Sequence, residues 1–514
     1  MAKIIETTIS RFDGGMTNDL RDPRQNVARV VSNFDVLTNP RKMTPYRSSE
    51  TGDSLASTNK IQNFAIGIRT GTTNSLYGLG VASGTAIAKV FYKDLTTGSA
   101  NDLDDGDWTG TANNASASGA TSFNLFVYYA RTALIYGARA GTHIFAYDPT
   151  GSAAFADTHQ ALTYTNIAQG LVHSKDDVLY IPYDNKIIKN NNGVWTAAAL
   201  TLPTHLVITS ISEYGNYLAI ACAPLSGIGN SRLFLWDRNE TTTTLAESID
   251  LGVGSVRVIE EIDGVLIAIS QKGGTSSAGP GSPAGTISFG DRVIFRYLNG
   301  NQAEKFMEII GGANTTKLPI YRQKVDNRLY FQMLISFNGA IRDGVWSIGR
   351  SSPSAGFGLV HERTTNNNTA LTTSDSLTGF LAVGDFLFQS YSVSSTFNMT
   401  KTDDTALYSH NSIYESKRYD AGDASLKKEL KGITIKHEYL PSGASVTVKY
   451  RVDQTTSWAS ILTSSTTNAI SNSAVALQSL PKDYKEIEFQ ILSTAGAEIT
   501  GLSFQEEITG KRPY

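Results

Sequence analysis

One cysteine in 514 residues, Cys222, leaves no partner for an internal disulfide, so a disulfide-stapled scaffold is excluded. Charge is scarce as well. Asp, Glu, Lys and Arg make up 18% of the chain, against a usual value of ~25%. The 44 basic and 47 acidic residues leave a net charge of −3. That balance argues against a protein that grips nucleic acid along its outside, which needs a basic excess. No run approaches the ~20 apolar residues of a membrane helix. The opening MAKIIETTISRFDGG has neither an apolar core of signal-peptide length nor a small-residue cleavage site. The expectation is therefore a soluble chain made in a cytoplasm. What is present is 45 glycines with abundant Ser, Thr and Asn, and 40% apolar and 10% aromatic residues. This is enough for a full core and is the composition of turns and strands.

Helical periodicity is confined to one stretch, residues 26–37, where Val27, Val30, Val31, Phe34 and Leu37 recur at offsets of three and four. It predicts a short helix, against which its β-branched content counts. Elsewhere short apolar runs alternate with Gly, Asn, Asp and Ser, and a loose repeat emerges. A polar turn precedes an apolar strand, and a second strand rich in Tyr, Phe or Trp then closes on Asp or Asn. Examples are Asp176-Asp-Val-Leu-Tyr-Ile with Lys186-Ile-Ile-Lys-Asn190, and Gly215-Asn-Tyr-Leu-Ala-Ile with Arg232-Leu-Phe-Leu-Trp-Asp237. Seven leucines anchor the units: Leu76, Leu134, Leu179, Leu218, Leu266, Leu329 and Leu387. Their spacing suits blades of ~40–50 residues with insertions, which bury their faces by stacking radially. The alternative is a set of ordinary hairpins in sandwich domains.

After residue 419 the text changes to strict alternation with short turns, as in Leu430-Lys-Gly-Ile-Thr-Ile and Ala444-Ser-Val-Thr-Val. Period two with tight turns predicts a two-sheet sandwich, with Tyr450 and Trp458 in its core. The expected fold is all-β: an irregular β-propeller of six or seven blades at 56–418, an N-terminal arm or platform at 1–55, and a jelly-roll-like β-sandwich at 419–514. Residues 113–122, 273–286 and 364–373 read as polar loop insertions.

The residues that could carry chemistry do not form a motif. Seven histidines (His143, His159, His173, His205, His361, His410 and His437) are scattered without zinc-site spacing. The acidic run 101–108 places its glycine one position too early for a calcium loop. Cys222 lies in an apolar run with no basic neighbour to activate it. Glu260, Glu261 and Asp263 could supply a glycosidase-like carboxylate pair, but adjacent acids on a strand point to opposite faces. The expectation is no enzyme, no catalytic, metal or cofactor-binding residue, and no cofactor.

The most informative stretch is Arg11-Phe-Asp-Gly-Gly-Met-Thr-Asn-Asp-Leu, followed by Asn33-Phe-Asp-Val-Leu and Arg41-Lys-Met-Thr-Pro-Tyr-Arg. It resembles the opening of bacteriophage tail nozzle (tail tubular protein B-like) proteins. Val446-Thr-Val-Lys-Tyr-Arg-Val-Asp and Ser457-Trp resemble the sandwich that follows the propeller in many phage structural proteins. The resemblance implies a structural part of a virion tail, assembled in the bacterial cytoplasm. It would be a homohexameric ring at the distal end of a short tail, closing the channel until genome ejection. Its implied partners are copies of itself, portal or adaptor and tail-fibre proteins, DNA in transit, and the host surface. The alternative is a tail-tip propeller that binds a receptor or glycan, which exposed aromatics on the propeller would favour.

Overall fold

The computed structural model describes residues 3–509 except 18, 20–21, 23, 25, 48, 52–59, 71–72, 82–87, 95–108, 111–120, 140, 150–154, 226–228, 241–244, 273–288, 291, 312–315, 318–320, 338–339, 366–370, 373–374, 384–385, 394–395, 403–410 and 466–472. The acidic run 101–108, His410, the loop 273–286 and most of 113–122 and 364–373 lie outside them. The described residues form strands and turns with no helix, in two compact units: Thr51–Asp343 with Leu371–Lys401, and Met1–Glu50 with Gly344–Ala370 and Thr402–Tyr514.

The first unit is a β-propeller of seven antiparallel blades. The innermost strands are Lys60–Thr70, Thr121–Tyr129, Leu171–His173, Leu206–Tyr214, Ser255–Ile262, Arg322–Val325 and Ser376–Val383. Each is followed by a second strand: Thr73–Val81, Leu134–Arg139, Val178–Tyr183, Tyr217–Pro224, Val265–Lys272, Arg328–Phe337 and Phe386–Val393. Each of the seven anchoring leucines lies on one of these second strands. The reason is burial: a middle strand is covered on both faces by neighbouring blades, so it reads as an apolar run instead of an alternating one. Val178–Tyr183 is buried at every position.

Apolar layers between blades hold the ring. Tyr77, Leu79, Phe126 and Phe145 join the first blade to the second. Leu179, Ile181 and Tyr136 join the second to the third, and Tyr180, Ile220, Cys222 and Trp236 join the third to the fourth. Ile61, Phe64, Leu381 and Phe388 pack the last blade on the first and close the ring. In a closed ring each blade covers much of its neighbour's face. Four innermost strands carry a one-residue bulge at the same position, marked by register shifts at Ile61/Asn63, Ile208/Ser210, Val256/Val258 and Leu377/Gly379. The extra residues are Gln62, Thr209, Arg257 and Thr378, all polar and buried. Such bulges bend a strand, as packing around an axis demands. Polar groups at and beside the bulges tie neighbours together: the Thr378 hydroxyl donates to the Ile61 carbonyl at 3.3 Å, and the Ile259 amide donates to Ser210 Oγ, next to Thr209, at 3.3 Å.

The second unit is the sandwich. One sheet runs Lys3–Ile9, Ile499–Ile508, Lys428–His437, Ser473–Ala476. The other runs Gly358–Arg363, Ala28–Ser32, Ser412–Ser416, Ile487–Thr494, Ser445–Val452, Ala459–Ser465. Between them the Phe489 and Phe504 rings pack in a tilted pair at 4.7 Å, with Tyr419 edge-on to Phe504 at 5.1 Å. Four expectations are corrected here. Residues 1–55 are no separate arm, because Lys3–Ile9 pairs along its length with Ile499–Ile508 of the same chain. The propeller does not extend from 56 to 418, because Gly358–Arg363 and Ser412–Ser416 flank Ala28–Ser32. The stretch 26–37 is strand, not helix: held between those two strands, it buries Val27, Val30, Val31, Phe34 and Leu37 without alternation, which imitates a helical stripe. Tyr450 and Trp458 are only half-buried; Trp458 lies under the Arg451 guanidinium at 4.5 Å instead of in the core.

Candidate functional site

The structure accounts for most sequence-level candidates by packing. Glu260 accepts hydrogen bonds from Arg322 Nε at 2.9 Å and Ser212 Oγ at 3.0 Å, and Glu261 pairs with Lys324 at 2.8 Å. Both clamp the fifth blade to its neighbours. Asp263 is a turn residue at φ 50°. Cys222 is fully buried and burial pushes its thiol up, which removes it as a nucleophile. His173 and His361 are buried, the latter within 2.7 Å of Ser32 Oγ, and His437 is buried between Glu438 and Ser464. His143 is half-buried, and His205 is exposed. Among the described residues no three His, Cys, Asp or Glu side chains converge as metal ligands.

Two places present chemistry to solvent. The first is a cleft of about 530 Å³ in the sandwich unit, between the N-terminal segment and the loop 351–356. Its architecture follows from the Phe12-Asp13-Gly14-Gly15-Met16 turn. Phe12 is buried edge-on against Tyr414 at 5.6 Å, and Met16 bridges to Ala28. Gly15 sits at φ +65°, and a Cβ there would lie 2.6 Å from the Leu359 nitrogen, so the turn closes only on glycine. The turn carries Asp13 beneath the cleft, where it accepts hydrogen bonds from Arg11 Nη2 at 2.7 Å, Asn26 Nδ2 at 2.9 Å and Ser351 Oγ. Burial pushes the Asp13 carboxyl up, but these donors and the Arg11 charge outweigh it and hold it below the usual carboxylate range. Beside it Asp22 takes a two-pronged contact from Arg24, Nε at 3.0 Å and Nη2 at 2.7 Å, and a bond from Thr17 at 3.1 Å. Burial likewise pushes Asp22 up, and Arg24 outweighs it.

The second is an aromatic seam between the second and third blades. Trp195 stands edge-on to Tyr136 at 5.4 Å, and His159 lies 5.6 Å from Tyr136 and 6.3 Å from Trp195. Tyr136 is the buried base, Trp195 is half-buried and His159 is exposed. Burial lowers the His159 pKa, which favours the neutral ring. Polar groups flank it: Arg131 binds Asp177 Oδ2 at 2.8 Å and donates to Asn191 Oδ1 at 2.9 Å. The hairpin turn Asn192-Gly193, both at positive φ, then presents Val194, 69% exposed. His159 was in view as an isolated residue; its meeting with Trp195 across two blades is a property of the stack.

No protein-family profile and no curated protein matches the chain. Solved structures do. The CNH domain of AfRom2 is 8% identical with a TM-score of 0.40, covering 70% of this chain and 99% of its own. An exo-β-1,3-galactanase from Phanerochaete chrysosporium is 10% identical with a TM-score of 0.30, covering 90% and 100%. A glycoside hydrolase family 43 arabinoxylan arabinofuranohydrolase from Bacillus subtilis is 10% identical with a TM-score of 0.28, covering 90% and 98%. Two of these three are carbohydrate-cleaving enzymes, which corrects the expectation of no enzyme: that exclusion is withdrawn. Scores this low carry no activity from those proteins to this chain, whose architecture is a seven-bladed all-β propeller with a sandwich built from both chain ends.

Proposed function

We propose that the chain is a recognition module of a bacteriophage tail, binding a glycan of the host surface through its propeller. The observation that carries this reading is the aromatic seam of Tyr136, His159 and Trp195. The apolar C–H face of a sugar ring packs on an aromatic surface, while its hydroxyls need fixed donors and acceptors at the rim. Arg131, Asp177 and Asn191 supply those, already oriented by their mutual bonds. The phage context rests on the resemblance in the N-terminal segment. The test is a bacterial glycan array with the purified chain, read both for retention and for cleavage of each glycan by mass spectrometry. Retention of a defined glycan set, weakened about tenfold or more by Trp195→Ala with the fold intact, is the expected result. An array without hits, or hits indifferent to Trp195→Ala, refutes it.

A second reading, the homohexameric nozzle ring, is favoured by one observation. The resembling segments around Asp13, Asn33 and Met43 all serve one unit: Asn33 donates to the Asn411 carbonyl at 2.9 Å, and Met43 bridges to Ile499. In this reading the partners are other copies, an adaptor, fibres and passing DNA. Six copies per particle at the tail end support it; a monomer in native mass spectrometry and a single copy per particle sink it.

A further inference from the structure

We propose that the cleft in the sandwich unit is a second binding site, built from residues other than the seam, and that it takes an oxyanion, the carboxylate or phosphate of a polar ligand. Two guanidinium groups line it, with Arg11 57% and Arg24 50% exposed. Their carboxylate partners are shielded from solvent, with the Asp13 side chain fully buried and that of Asp22 9% exposed. The two pairs cancel in formal charge, yet they are unequally exposed: the guanidinium groups are half open to solvent and the carboxylates are buried. Among the described residues Asp13 is the single acid in the lining.

Orientation is also locked in advance. Arg24 commits Nε and Nη2 to Asp22, and Asp22 is held in turn by the Arg24 amide at 2.9 Å and by Thr17. The segment is pinned from behind by the buried Lys417, whose Nζ donates to the Asp22 carbonyl at 2.5 Å and the Arg24 carbonyl at 2.7 Å. Among the described residues Arg24 Nη1 has no hydrogen-bond partner, and a Cβ on Gly356 would stand 4.0 Å from it. Arg11 commits only Nη2, to Asp13. A planar fork with unspent donors, fixed before a ligand arrives, matches a carboxylate or phosphate oxygen pair. Opposite the arginines, the exposed Ser352 and Ser354 hydroxyls lie 3.2 Å apart and can share a further oxygen. The space accommodates a group of sugar-acid or glycerol-phosphate size.

The test is isothermal titration of the full chain with glucuronate, glycerol 1-phosphate and glucose, at low and high salt. Binding of either acid but not of glucose, weakening as salt rises, is expected; which acid binds distinguishes the carboxylate from the phosphate source. Arg24→Lys keeps a charge over Asp22 but removes the fork, and should weaken binding about tenfold. Ser354→Glu places a carboxylate in the cleft from an exposed loop position, leaves both ion pairs intact, and should abolish binding. Trp195→Ala should leave acid binding unchanged, so loss of the seam and loss of the cleft are separable. Equal binding of glucose, no binding of either acid, or acid binding that survives Ser354→Glu overturns the proposal.

Discussion

Removing one buried charge should strengthen the sandwich at neutral pH and leave it unchanged in acid. Glu506 is fully buried in the strand Ile499–Ile508. One carboxyl oxygen accepts from the Tyr484 hydroxyl at 2.9 Å; the other has no partner among the described residues. The nearby Lys428 spends its ammonium on the carbonyls of Asp423, Leu426 and Lys485 at 2.7, 2.9 and 2.7 Å. Burial therefore dominates and raises the Glu506 pKa from 4.5 to about 6, with the Tyr484 bond and the Lys428 charge opposing it. A carboxyl with a folded-state pKa above its unfolded value holds its proton more tightly in the native state. Its contribution is intact below pH 4.5, declines as pH rises, and is lost above about 6. A rise of that size corresponds to about 2 kcal/mol. Glu506→Gln keeps an acceptor for Tyr484 and cannot ionise. At pH 7.5 it should gain about 2 kcal/mol of local stability, and at pH 4 close to none. Hydrogen exchange of the strands Lys428–His437 and Ile499–Ile508 reads this unit separately from the propeller, which bulk unfolding of a two-unit chain does not. A loss of protection in Glu506→Gln at pH 7.5, or a gain of equal size at pH 4, would refute the reasoning.

Gly15→Ala combines positive φ with a Cβ 2.6 Å from the Leu359 backbone nitrogen, and should cost about 3 kcal/mol or more. Gly443→Ala, at φ +77° with nothing within 4 Å, should cost only ~1 kcal/mol; urea titrations followed by sandwich hydrogen exchange compare the two, and equal costs would reject the clash. Glu488, 2% exposed, is met by Arg29 at 3.2 Å, Arg418 at 2.8 Å and Arg451 at 2.5 Å. Glu488→Gln leaves three guanidinium groups facing a neutral amide and should destabilise the sandwich by roughly 3–5 kcal/mol. A loss below about 1 kcal/mol would show that the arginines find other partners or water.

Much of the propeller was legible because burial leaves a compositional trace. Leu179 and Leu218 announce middle strands, since a strand covered on both faces has no polar side to show. The bulges leave a faint trace: Ile61-Gln62-Asn63, Ile208-Thr209-Ser210, Val256-Arg257-Val258 and Leu377-Thr378-Gly379 each follow an apolar residue with a polar one. That signal does not single out a bulge, because polar residues beside a short apolar run also mark an ordinary strand end. The same physics misled at residues 26–37, where burial on both faces imitates a helical period.

Local sequence thus determined the strands, their turns and their sevenfold recurrence, because pleat, burial and left-handed turn conformations act on neighbouring residues. It also carried the Phe12–Met16 turn, where positive φ at Gly15 is a local demand, although the contacts that forbid a Cβ at Gly14 and Gly15 come from Asn26, Val27, Gly358 and Leu359. Only the tertiary structure decided what met what. The sandwich draws on 1–50, 344–370 and 402–514 because strand pairing rewards contact in space, irrespective of distance along the chain. For the same reason His159 comes to Trp195, and Arg11 and Arg24 come to the loop carrying Ser352 and Ser354. A binding surface is a coincidence of side chains from separate strands, and no periodicity within one strand encodes it.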